Sequence, residues 1–574
     1  MTFTSCIKHL WPFLRPYRFK LFVGIFMIIV AQITFAINPS VEGMITTQLS
    51  KDVMDIANNI PGAHIQMDII IQIAILLGII YIIKTVSQYL MAFYLKLGSL
   101  LIAGLLAGCQ SSKKGNLSEK GENSVPVTTH RALNPIAPPG VFIADPEVRQ
   151  MPDGRVYVYG SRDEPGNSWC SNSYDVLSSS DLVDWHVEQY SFATKGLGKQ
   201  TDYTDKVLYA PDGIYHNGKY YLYYCLAADG ENEGVAVASS PYGPFKEGKA
   251  IMGISGIDPS VFIDDDGQAY LFWGQWHVRG AKLSKDMLSI EGAVHDSLLT
   301  YKTHFFNEGS SVRKRNGIYY LVYGSHSRHG ESNCATLDYA TATSPLGPYT
   351  YRGVIIDNWG SDRNLVNNHG CITEINGQWY IAYHRPTHAT ETGTMRKACL
   401  EPITFNPDGT INEVEMTTQG VGGPISPSYR MDAARACLLS GHVAVAVRRP
   451  DNDVPVEYLS SIRDGDHAYW KYYDFTGTDV DRFICKTWDK NKKAKIEIRL
   501  DSPEGELLGV CDLEAMNGEV AYAIHETNIK SVTGKHALVL VFKAAEPAGN
   551  EEEDLMNLEW FTFSTTRPTK VSPE

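Results

Sequence analysis

Three carboxylates lie at corresponding places in a repeated pattern of this chain, each in a short polar cluster that precedes an aromatic segment. The clusters are ADPEV at Asp145, IDPSV at Asp258 and NEGSSV at Glu308. Carboxylates brought to one pocket can share acid–base work, because one activates water while another donates a proton. Cleavage of a glycosidic bond requires this pairing. The sequence therefore predicts a site suited to that chemistry, if the fold brings the three side chains together.

Five copies of the pattern are present, and they indicate the elements that must position these carboxylates. The corresponding positions are Asp145, Ala210, Asp258, Glu308 and His369, which follow one another at intervals of 48 to 65 residues. Each copy continues through a Gly-containing turn into an aromatic strand such as GKYYLYY. A repeat of about 50 residues built from short strands is typical of a β-propeller blade. We therefore predict a five-bladed β-propeller over residues 135–425, with the polar clusters directed at its axis.

Composition limits the number of domains and the class of partner. The chain has 574 residues, which is too long for one domain. Its net charge of -14 provides no basic surface, so a nucleic-acid partner is not expected. The 32 tyrosines suit a β-rich protein that binds sugars. The ten cysteines include no CxxC pair, and we interpret most of them as buried apolar residues rather than metal ligands.

Several motifs resemble glycoside hydrolase family 43, and they occur in the order found in that family. They are ADPEV, YAPDGIYHNGKYYLYY, GIDPSVFIDDDG, NEGSSV and SSSDLVDW. The resemblance implies a five-bladed propeller that acts on polysaccharides containing arabinose and xylose. It further implies that Asp145 is the general base, that Asp258 orients and tunes the acid, and that Glu308 is the general acid.

These roles require three different environments. An inverting hydrolase needs an ionised base and a protonated acid, separated by enough room for a water molecule. Glu308 is expected to hold its proton near neutral pH, because an ionised Asp258 close by would raise its pKa. Asp145 must stay ionised, so it is expected to accept hydrogen bonds.

Four further residues are candidates for contact with the substrate. Arg396, in TMRKACLEPITF, matches a family arginine that contacts the bound sugar. His384, in AYHRP, also follows the family pattern, with a packing role as the alternative. Trp169 and Trp276 lie in loop-like contexts and could stack on a sugar ring, whereas Trp273 lies within a strand and is predicted to be core.

His369, in NNHG, is the candidate metal ligand. The resemblance places a histidine near the central channel, where some family members bind calcium. Imidazole suits transition metals better than calcium, so water would have to complete a calcium shell. No cofactor is expected for the chemistry itself. Asp212 lies two places after the position that corresponds to Asp145, and we interpret it as a turn or strand-end residue.

Residues 430–574 are again β-patterned and resemble carbohydrate-binding module family 6, a β-sandwich of the jelly-roll type. The resemblance is carried by DGDHAYWKYYDF, GKHALVLVF and NLEWFTF. Near Met431 that family usually has an acidic pair that binds calcium, and here only Asp432 is acidic. Trp470 lies within a strand, which favours a core position over sugar stacking. The module is either a sugar binder or a structural lid.

Residues 1–95 do not share this β pattern. Leu21 to Ile37 and Ile69 to Ile83 are mostly apolar runs, near the shortest length that spans a bilayer. We predict that they are membrane helices. The segment LWPFLRPYRFKLFVGIFMIIV resembles the start of an ABC exporter transmembrane domain, but no GxxxxGK[ST] motif occurs, which argues against a working transporter.

Residues 96–134 resemble a bacterial lipoprotein signal followed by a linker. In LAGC, Cys109 would be the lipidated residue, and QSSKKGNLSEKGENS would be a flexible tether. Our hypothesis is that residues 1–95 are a fused transporter fragment or follow from a wrong start site; the alternative is a two-helix membrane anchor. Both interpretations place the globular part outside the cytoplasm, attached to a bacterial membrane through lipid or helices.

Together these patterns predict an inverting glycosidase that removes α-L-arabinofuranosyl or β-xylosyl residues from plant hemicellulose. The alternatives are a β-xylosidase acting on xylo-oligosaccharides and a surface lipoprotein that binds glycans without cleaving them. The presence of all three carboxylates argues against the binder. The SxDxGxTW boxes of sialidases are absent from the sequence.

Overall fold

A computed structural model describes residues 131–164, 169–227, 230, 232–362, 367–390, 393–449, 454–488, 493–514, 522–546 and 553–565. The predicted membrane helices of residues 1–95 and the predicted lipidation site at Cys109 lie outside these ranges. Within them, no helix has the length and apolar character needed to cross a bilayer. The regular secondary structure of the described chain is almost entirely β-strand, so the predicted all-β class is confirmed.

The first part of the described chain forms five antiparallel sheets, one after another in sequence order. The first sheet contains β1 (Ile143–Gln150), β2 (Val156–Arg162), β3 (Ser173–Ser179) and β4 (His186–Ala193). The second contains β5 (Asp212–His216), β6 (Lys219–Cys225), β7 (Glu233–Ala238) and β8 (Lys246–Ala250). The third contains β9 (Ser260–Ile263), β10 (Ala269–Trp273), β11 (Arg279–Leu283) and β12 (Ile290–His295). The fourth contains β13 (Phe306–Arg315), β14 (Ile318–Ser325), β15 (Thr336–Ala342) and β16 (Thr350–Asp357), and the fifth β17 (Cys371–Ile375), β18 (Gln378–Thr390) and β19 (Gly393–Pro402).

The first strands of these sheets contact one another in order. β1 contacts β5, β5 contacts β9, β9 contacts β13 and β13 contacts β17, and β17 in turn contacts β1. Strands in the middle of a sheet are covered on both faces, and every residue of β3 and β15 is buried. Burial on both faces explains why such segments read as nearly continuous aromatic and apolar runs rather than as alternating patterns.

The hairpin after each first strand closes on a glycine with a left-handed backbone. These glycines have φ between 77° and 83°, which residues with a Cβ rarely adopt, and are Gly154, Gly218, Gly267, Gly317 and Gly377. The hairpins lie at one end of the five sheets, because each connects the far end of a first strand to the second strand. The polar clusters, at the beginnings of the first strands, lie at the other end.

The C-terminal part forms two further sheets. One has the strand order β22-β23-β30-β25-β28, with β20 also paired to β30, and the other has the order β21-β24-β29-β26-β27. The strands are β20 (Met431–Asp432), β21 (Leu438–Leu439), β22 (Ala444–Arg448), β23 (Val456–Ile462), β24 (His467–Asp474), β25 (Arg482–Trp488), β26 (Ala494–Leu500), β27 (Leu507–Leu513), β28 (Tyr522–Asn528), β29 (Lys535–Ala544) and β30 (Met556–Ser564). Residues of β26 alternate between buried and half-buried, as expected for a sheet with one face on a core. Trp470 is fully buried in that core, as its position in the sequence predicted.

Helices are few in the described ranges. They are one short α-helix, α1 (Tyr301–His304), and the 3-10 turns Gly420–Gly422 and Ala433–Arg435. The C-terminal sheets also contact the fifth sheet directly. Lys397 of β19 forms a buried ion pair with Glu457 of β23, with Nζ 2.6 Å from Oε1, and Thr418 N–H donates to the carbonyl of Lys471.

Candidate active site

The three predicted carboxylates lie at irregular points of the backbone. In β1, the register with β2 shifts between Ala144 and Glu147, which brackets Asp145. In β13, the register with β14 shifts on both sides of Glu308. Asp145 and Asp258 have φ of 51° and 58°, in the left-handed region. Bulges and left-handed non-glycine residues re-aim side chains and are common next to active sites.

One pocket brings the three carboxylates together. It has a volume of about 280 Å³. Its wall is formed by Asp145, Trp169, Cys170, Tyr209, Ile257, Asp258, Gln275, Glu308, Asn367, His369 and Arg396. Residues from the first, third, fourth and fifth sheets thus meet in one cavity large enough for a sugar ring.

Asp145 is held by donors on several sides. Arg396 Nη1 donates to its Oδ1 over 2.9 Å, and the Ser161 hydroxyl donates to Oδ2. The backbone N–H of Asp145 donates to His384 Nδ1 over 3.1 Å. Burial alone would raise the pKa of Asp145, but the Arg396 guanidinium and the histidines outweigh it and hold that pKa well below its usual range. Asp145 is therefore ionised, as a general base must be.

Arg396 bridges two buried carboxylates. Besides Asp145, it contacts Asp163, to which Nε and Nη2 each donate over 2.9 Å. Only 1% of its surface is exposed. These three nitrogens donate to protein carboxylates, and the predicted contact of Arg396 with sugar hydroxyls stays a prediction. Arg396 still lines the pocket, and its guanidinium lies 4.9 Å from the centre of the Trp169 ring, which also lines it.

Asp258 has a different electrostatic environment. Its backbone N–H donates to Cys225 Sγ over 3.3 Å, and the residue is buried. Burial raises the pKa of Asp258 well above its usual range, and the neighbouring carboxylates of Glu308 and Asp145 raise it further. We predicted an ionised Asp258 that would act on Glu308. Its raised pKa instead favours the protonated form of Asp258, and burial is the main cause.

Glu308 is half-buried and is held by two side-chain amides. Gln275 Nε2 donates to Oε2 over 2.8 Å, and Asn367 Nδ2 donates to Oε1 over 3.3 Å. These neutral donors fix the carboxyl group in the pocket wall. Both amides also line the pocket.

The remaining predicted residues occupy different depths. His384 is completely buried and contacts Asp145 from behind, which is closer to the packing alternative than to substrate contact. Burial lowers the pKa of His384, so its ring is neutral. Trp276 is 50% exposed beside the pocket, whereas Trp273 is 1% exposed and belongs to the core as predicted. Asp212 is a buried strand-end residue paired with Arg149, with Nη2 2.6 Å from Oδ2.

His369 lies between two of the carboxylates. Its Nδ1 is 3.7 Å from Asp145 Oδ1 and 3.8 Å from Asp258 Oδ2. Gly309 packs against the ring so closely that a Cβ there would lie 2.9 Å from it. Across the described ranges, no group of three or more His, Cys, Asp or Glu side chains could hold a metal ion. A calcium ion at His369 would need water for most of its shell, and it stays a prediction.

Four residues that complete the site were not predicted from the sequence. They are Ser161, Asp163, Gln275 and Asn367. Ser161 lies near the end of β2 and Asp163 directly follows that strand, and nothing in GSRDEP distinguishes them from ordinary turn residues. The sequence could have suggested the other two only because they are close to the repeated pattern. Asn367 precedes the fifth polar cluster, and Gln275 follows the aromatic strand of the third copy.

Comparison with known proteins identifies the class of protein to which this fold and this site belong. Residues 132–411 match the family model for glycosyl hydrolases family 43. These residues form a domain of this family, and the protein is a glycoside hydrolase. Residues 451–565 match the model for carbohydrate binding module family 6. Both resemblances seen in the sequence are thereby confirmed.

Individual relatives cover most of the described chain. The chain is 29% identical over 479 residues to an arabinoxylan arabinofuranohydrolase of Bacillus subtilis (strain 168), across 73% of this chain and 90% of that protein. It is 28% identical to a xylosidase/arabinosidase of Thermoclostridium stercorarium, across 72% and 97%.

Solved structures of the family are also similar. A β-xylosidase/α-arabinofuranosidase from a compost microbial metagenome, in complex with xylotriose, is 30% identical, with a TM-score of 0.43 over 50% of this chain and 98% of that one. The Bacillus subtilis arabinoxylan arabinofuranohydrolase in complex with cellotetraose is 26% identical, with a TM-score of 0.41 over 77% and 97%.

Proposed function

We propose that this hydrolase is an inverting enzyme that removes α-L-arabinofuranosyl residues, or β-xylosyl residues, from plant hemicellulose such as arabinoxylan or arabinan. The observation that carries the proposal is the pocket in which an ionised Asp145 faces Glu308. Two relatives, an arabinoxylan arabinofuranohydrolase and a xylosidase/arabinosidase, support this choice of substrate.

In this mechanism Asp145 is the general base. Ionised and fixed by Arg396 and Ser161, it takes a proton from a water molecule that attacks the anomeric carbon. Glu308 is the general acid and protonates the glycosidic oxygen as the bond to the anomeric carbon breaks. Inversion requires the two carboxyl groups to lie about 6.5–9.5 Å apart, so that the water fits between them.

Asp258 has a positioning role beside Glu308. A protonated carboxyl group donates one hydrogen bond and accepts others. In that form Asp258 can orient a sugar hydroxyl or Glu308 without adding a second negative charge to the pocket. The chemistry of these steps requires no cofactor.

The five sheets support this pocket as a closed five-bladed propeller. The support for closure is the contact of β17 with β1, which returns the series of first strands to its beginning. The domain bounds that follow are residues 135–425 for the propeller and 430–574 for the β-sandwich module, which would hold the enzyme on its polysaccharide.

The test is hydrolysis by the full chain of nitrophenyl α-L-arabinofuranoside and nitrophenyl β-xyloside, with proton NMR of the first sugar released. We expect activity on at least one of them, with inverted anomeric configuration. The Glu308→Gln variant should lose most activity on polysaccharide, while the matched control Glu374→Gln, an exposed glutamate of β17, should be unaffected. A product of retained configuration would contradict the mechanism. Higher activity on the xyloside would favour the second candidate, a β-xylosidase, which the name xylosidase/arabinosidase also supports.

For location, we propose an extracytoplasmic enzyme anchored to a bacterial membrane through lipid on Cys109. The support is the LAGC motif and the polar tether that follows it. Intact mass of the native protein checks this: a lipidated N-terminus at Cys109 is expected, and a product that retains Met1 would contradict it.

A further inference from the structure

Two exposed tryptophans stand on either side of the loop that joins β14 to β15. Trp276 is 50% exposed and Trp359 is 47% exposed. Each is stacked on a histidine of that loop. The rings of Trp276 and His326 are 5.8 Å apart and inclined by 8°, and those of Trp359 and His329 are 4.4 Å apart and inclined by 12°.

Trp276 is attached to the backbone around Glu308. Its N–H donates to the carbonyl of Asn307 over 2.7 Å, and its own carbonyl accepts from Tyr301 N–H. The preceding residue, Gln275, donates to Glu308 Oε2. Trp276 therefore lies directly beside the general acid.

Trp359 is attached to the other side of the same group. The preceding residue, Asn358, donates through Nδ2 to the carbonyls of Asn367 and His384 over 3.1 and 2.9 Å. Asn367 in turn donates to Glu308 Oε1. Trp276 thus follows a residue that binds Glu308 Oε2 directly. Trp359 follows a residue that binds Asn367, which in turn binds Glu308 Oε1.

The Trp359 ring is held in a fixed orientation. Asp357 accepts the Trp359 N–H at Oδ1 over 2.9 Å and lies 2.7 Å from His329 Nε2 at Oδ2. Arg328 binds Glu413 with both terminal nitrogens, at 2.7 and 3.0 Å. The Asp357 carboxylate therefore holds both the Trp359 backbone and the imidazole that stacks on its ring. Holding them before the ligand arrives reduces the conformational entropy lost on binding.

We propose that Trp276 and Trp359 together bind the sugar main chain of the polymeric substrate, with the loop between β14 and β15 beneath it. This inference rests on the proposed function. Glu308 protonates the oxygen that leaves, so the leaving part of the substrate must lie on the Glu308 side of the pocket. For an arabinosyl side chain, that leaving part is the main chain of the polysaccharide.

The size and chemistry of the surface suit this ligand. His326 and His329 are three residues apart, so their backbones lie within about 11 Å of each other. The two tryptophans that stack on these histidines are both exposed, and exposed apolar side chains grouped on a surface mark interaction sites. The tryptophan rings present flat apolar faces without net charge. Such faces suit the C–H faces of sugar rings in a neutral glycan better than they suit a charged polymer.

The test compares a small and a polymeric substrate. kcat/KM is measured on nitrophenyl α-L-arabinofuranoside and on soluble arabinoxylan for the full chain and for Trp276→Ala, Trp359→Ala and the double variant. On arabinoxylan we expect a loss of roughly tenfold for each single variant, mainly through KM, and a larger loss for the double variant. On the small substrate Trp359→Ala should stay within about twofold of the unmodified chain, because that substrate has no main chain to bind.

Two controls separate this role from a structural one. Trp359→Phe keeps an aromatic ring and should retain most activity on arabinoxylan. Tyr242→Ala removes an aromatic residue that is 42% exposed in the turn after β7, at the opposite end of the sheets. It should leave kcat/KM on both substrates unchanged. If Trp359→Ala leaves kcat/KM on arabinoxylan unchanged, or lowers it equally on both substrates, the proposal is overturned.

Failure of the proposed function would show separately. If the unmodified chain hydrolyses neither substrate, affinity electrophoresis in arabinoxylan gels measures binding without catalysis. The proposal then requires Trp359→Ala to be retarded less than Tyr242→Ala. Equal retardation of the two variants would overturn it.

Discussion

Asp145 and Asp258 occupy the same place in two of the five sheets, yet their ionisation differs. Both precede a proline at the beginning of a first strand, both have a left-handed backbone, and 5% and 6% of their surfaces are exposed. The pKa of Asp145 is held well below its usual range, while that of Asp258 is raised well above it.

The difference comes from partners that the repeat does not supply. Burial disfavours the charge on both carboxylates. Only Asp145 has a guanidinium against it, from Arg396 in the fifth sheet, whereas the nearest charges to Asp258 are the other carboxylates. The repeated backbone therefore sets where each carboxylate lies, and residues from distant parts of the chain set its charge.

The largest expected effect is the loss of the ionised carboxylate. Asp145→Asn keeps the size of the side chain but cannot accept a proton from water. We expect kcat/KM to fall by roughly 10²–10⁴-fold on every substrate, the range of general acid–base catalysis. Asp265→Asn, in the exposed turn after β9, is the control and should be silent. An Asp145→Asn enzyme with more than a tenth of full activity would exclude Asp145 as the base.

The next prediction concerns a substitution that should bring the pKa of Asp145 closer to that of Asp258. Arg396→Met removes the cation, so the pKa of Asp145 should rise. Activity requires the ionised base, so the acidic limb of the pH profile of kcat/KM should move to higher pH, by roughly 1–3 units.

Because Arg396→Met also leaves Asp163 without its partner, the substitution is made in an Asp163→Asn background. The matched reference is Asp163→Asn alone, in which Arg396 can still contact Asp145. An acidic limb at the same pH in both variants would show that the Arg396 charge does not control the base.

A smaller effect is expected at Asp258. Burial raises the pKa of Asp258 well above its usual range, which favours its neutral form, and Asn imitates that form. Asp258→Asn should lower kcat/KM by roughly one to two orders of magnitude, the scale of one lost hydrogen bond to a charged group. A loss as large as that of Asp145→Asn would mean that Asp258 acts as an ionised group.

Local patterns in the sequence predicted the β class and the position of the carboxylates. Strands, turn glycines and polar clusters are encoded within about 20 residues, and they recur, so each copy supports the others. The hairpin glycines and the placement of Asp145, Asp258 and Glu308 in one pocket follow from that regularity. Core positions such as Trp273 and Trp470 followed from their strand context.

The hydrogen-bond partners and charges around the carboxylates could not be predicted from local sequence patterns. The contact of Asp145 with Arg396 joins residues 251 positions apart, and Asp163 completes it from a third segment. The sequence identified Arg396 but not its two carboxylate partners, because a buried partner cannot be inferred from either residue alone. Trp359 follows β16 outside the repeated clusters, so no recurring signal pointed to it.

The smallest expected effect tests the remaining donor to the base. Ser161→Ala removes one neutral hydrogen bond from Asp145 and leaves the Arg396 contact in place. The pKa of Asp145 should rise slightly but stay low, since the guanidinium is the stronger influence. We expect kcat/KM to fall about tenfold or less, with an acidic limb displaced less than in the Arg396 variant. Ser178→Ala, which removes a hydroxyl that contacts Arg155 in the same sheet, is the matched control. A displacement as large as that caused by loss of Arg396 would show that hydrogen bonding, rather than the neighbouring cation, separates Asp145 from Asp258.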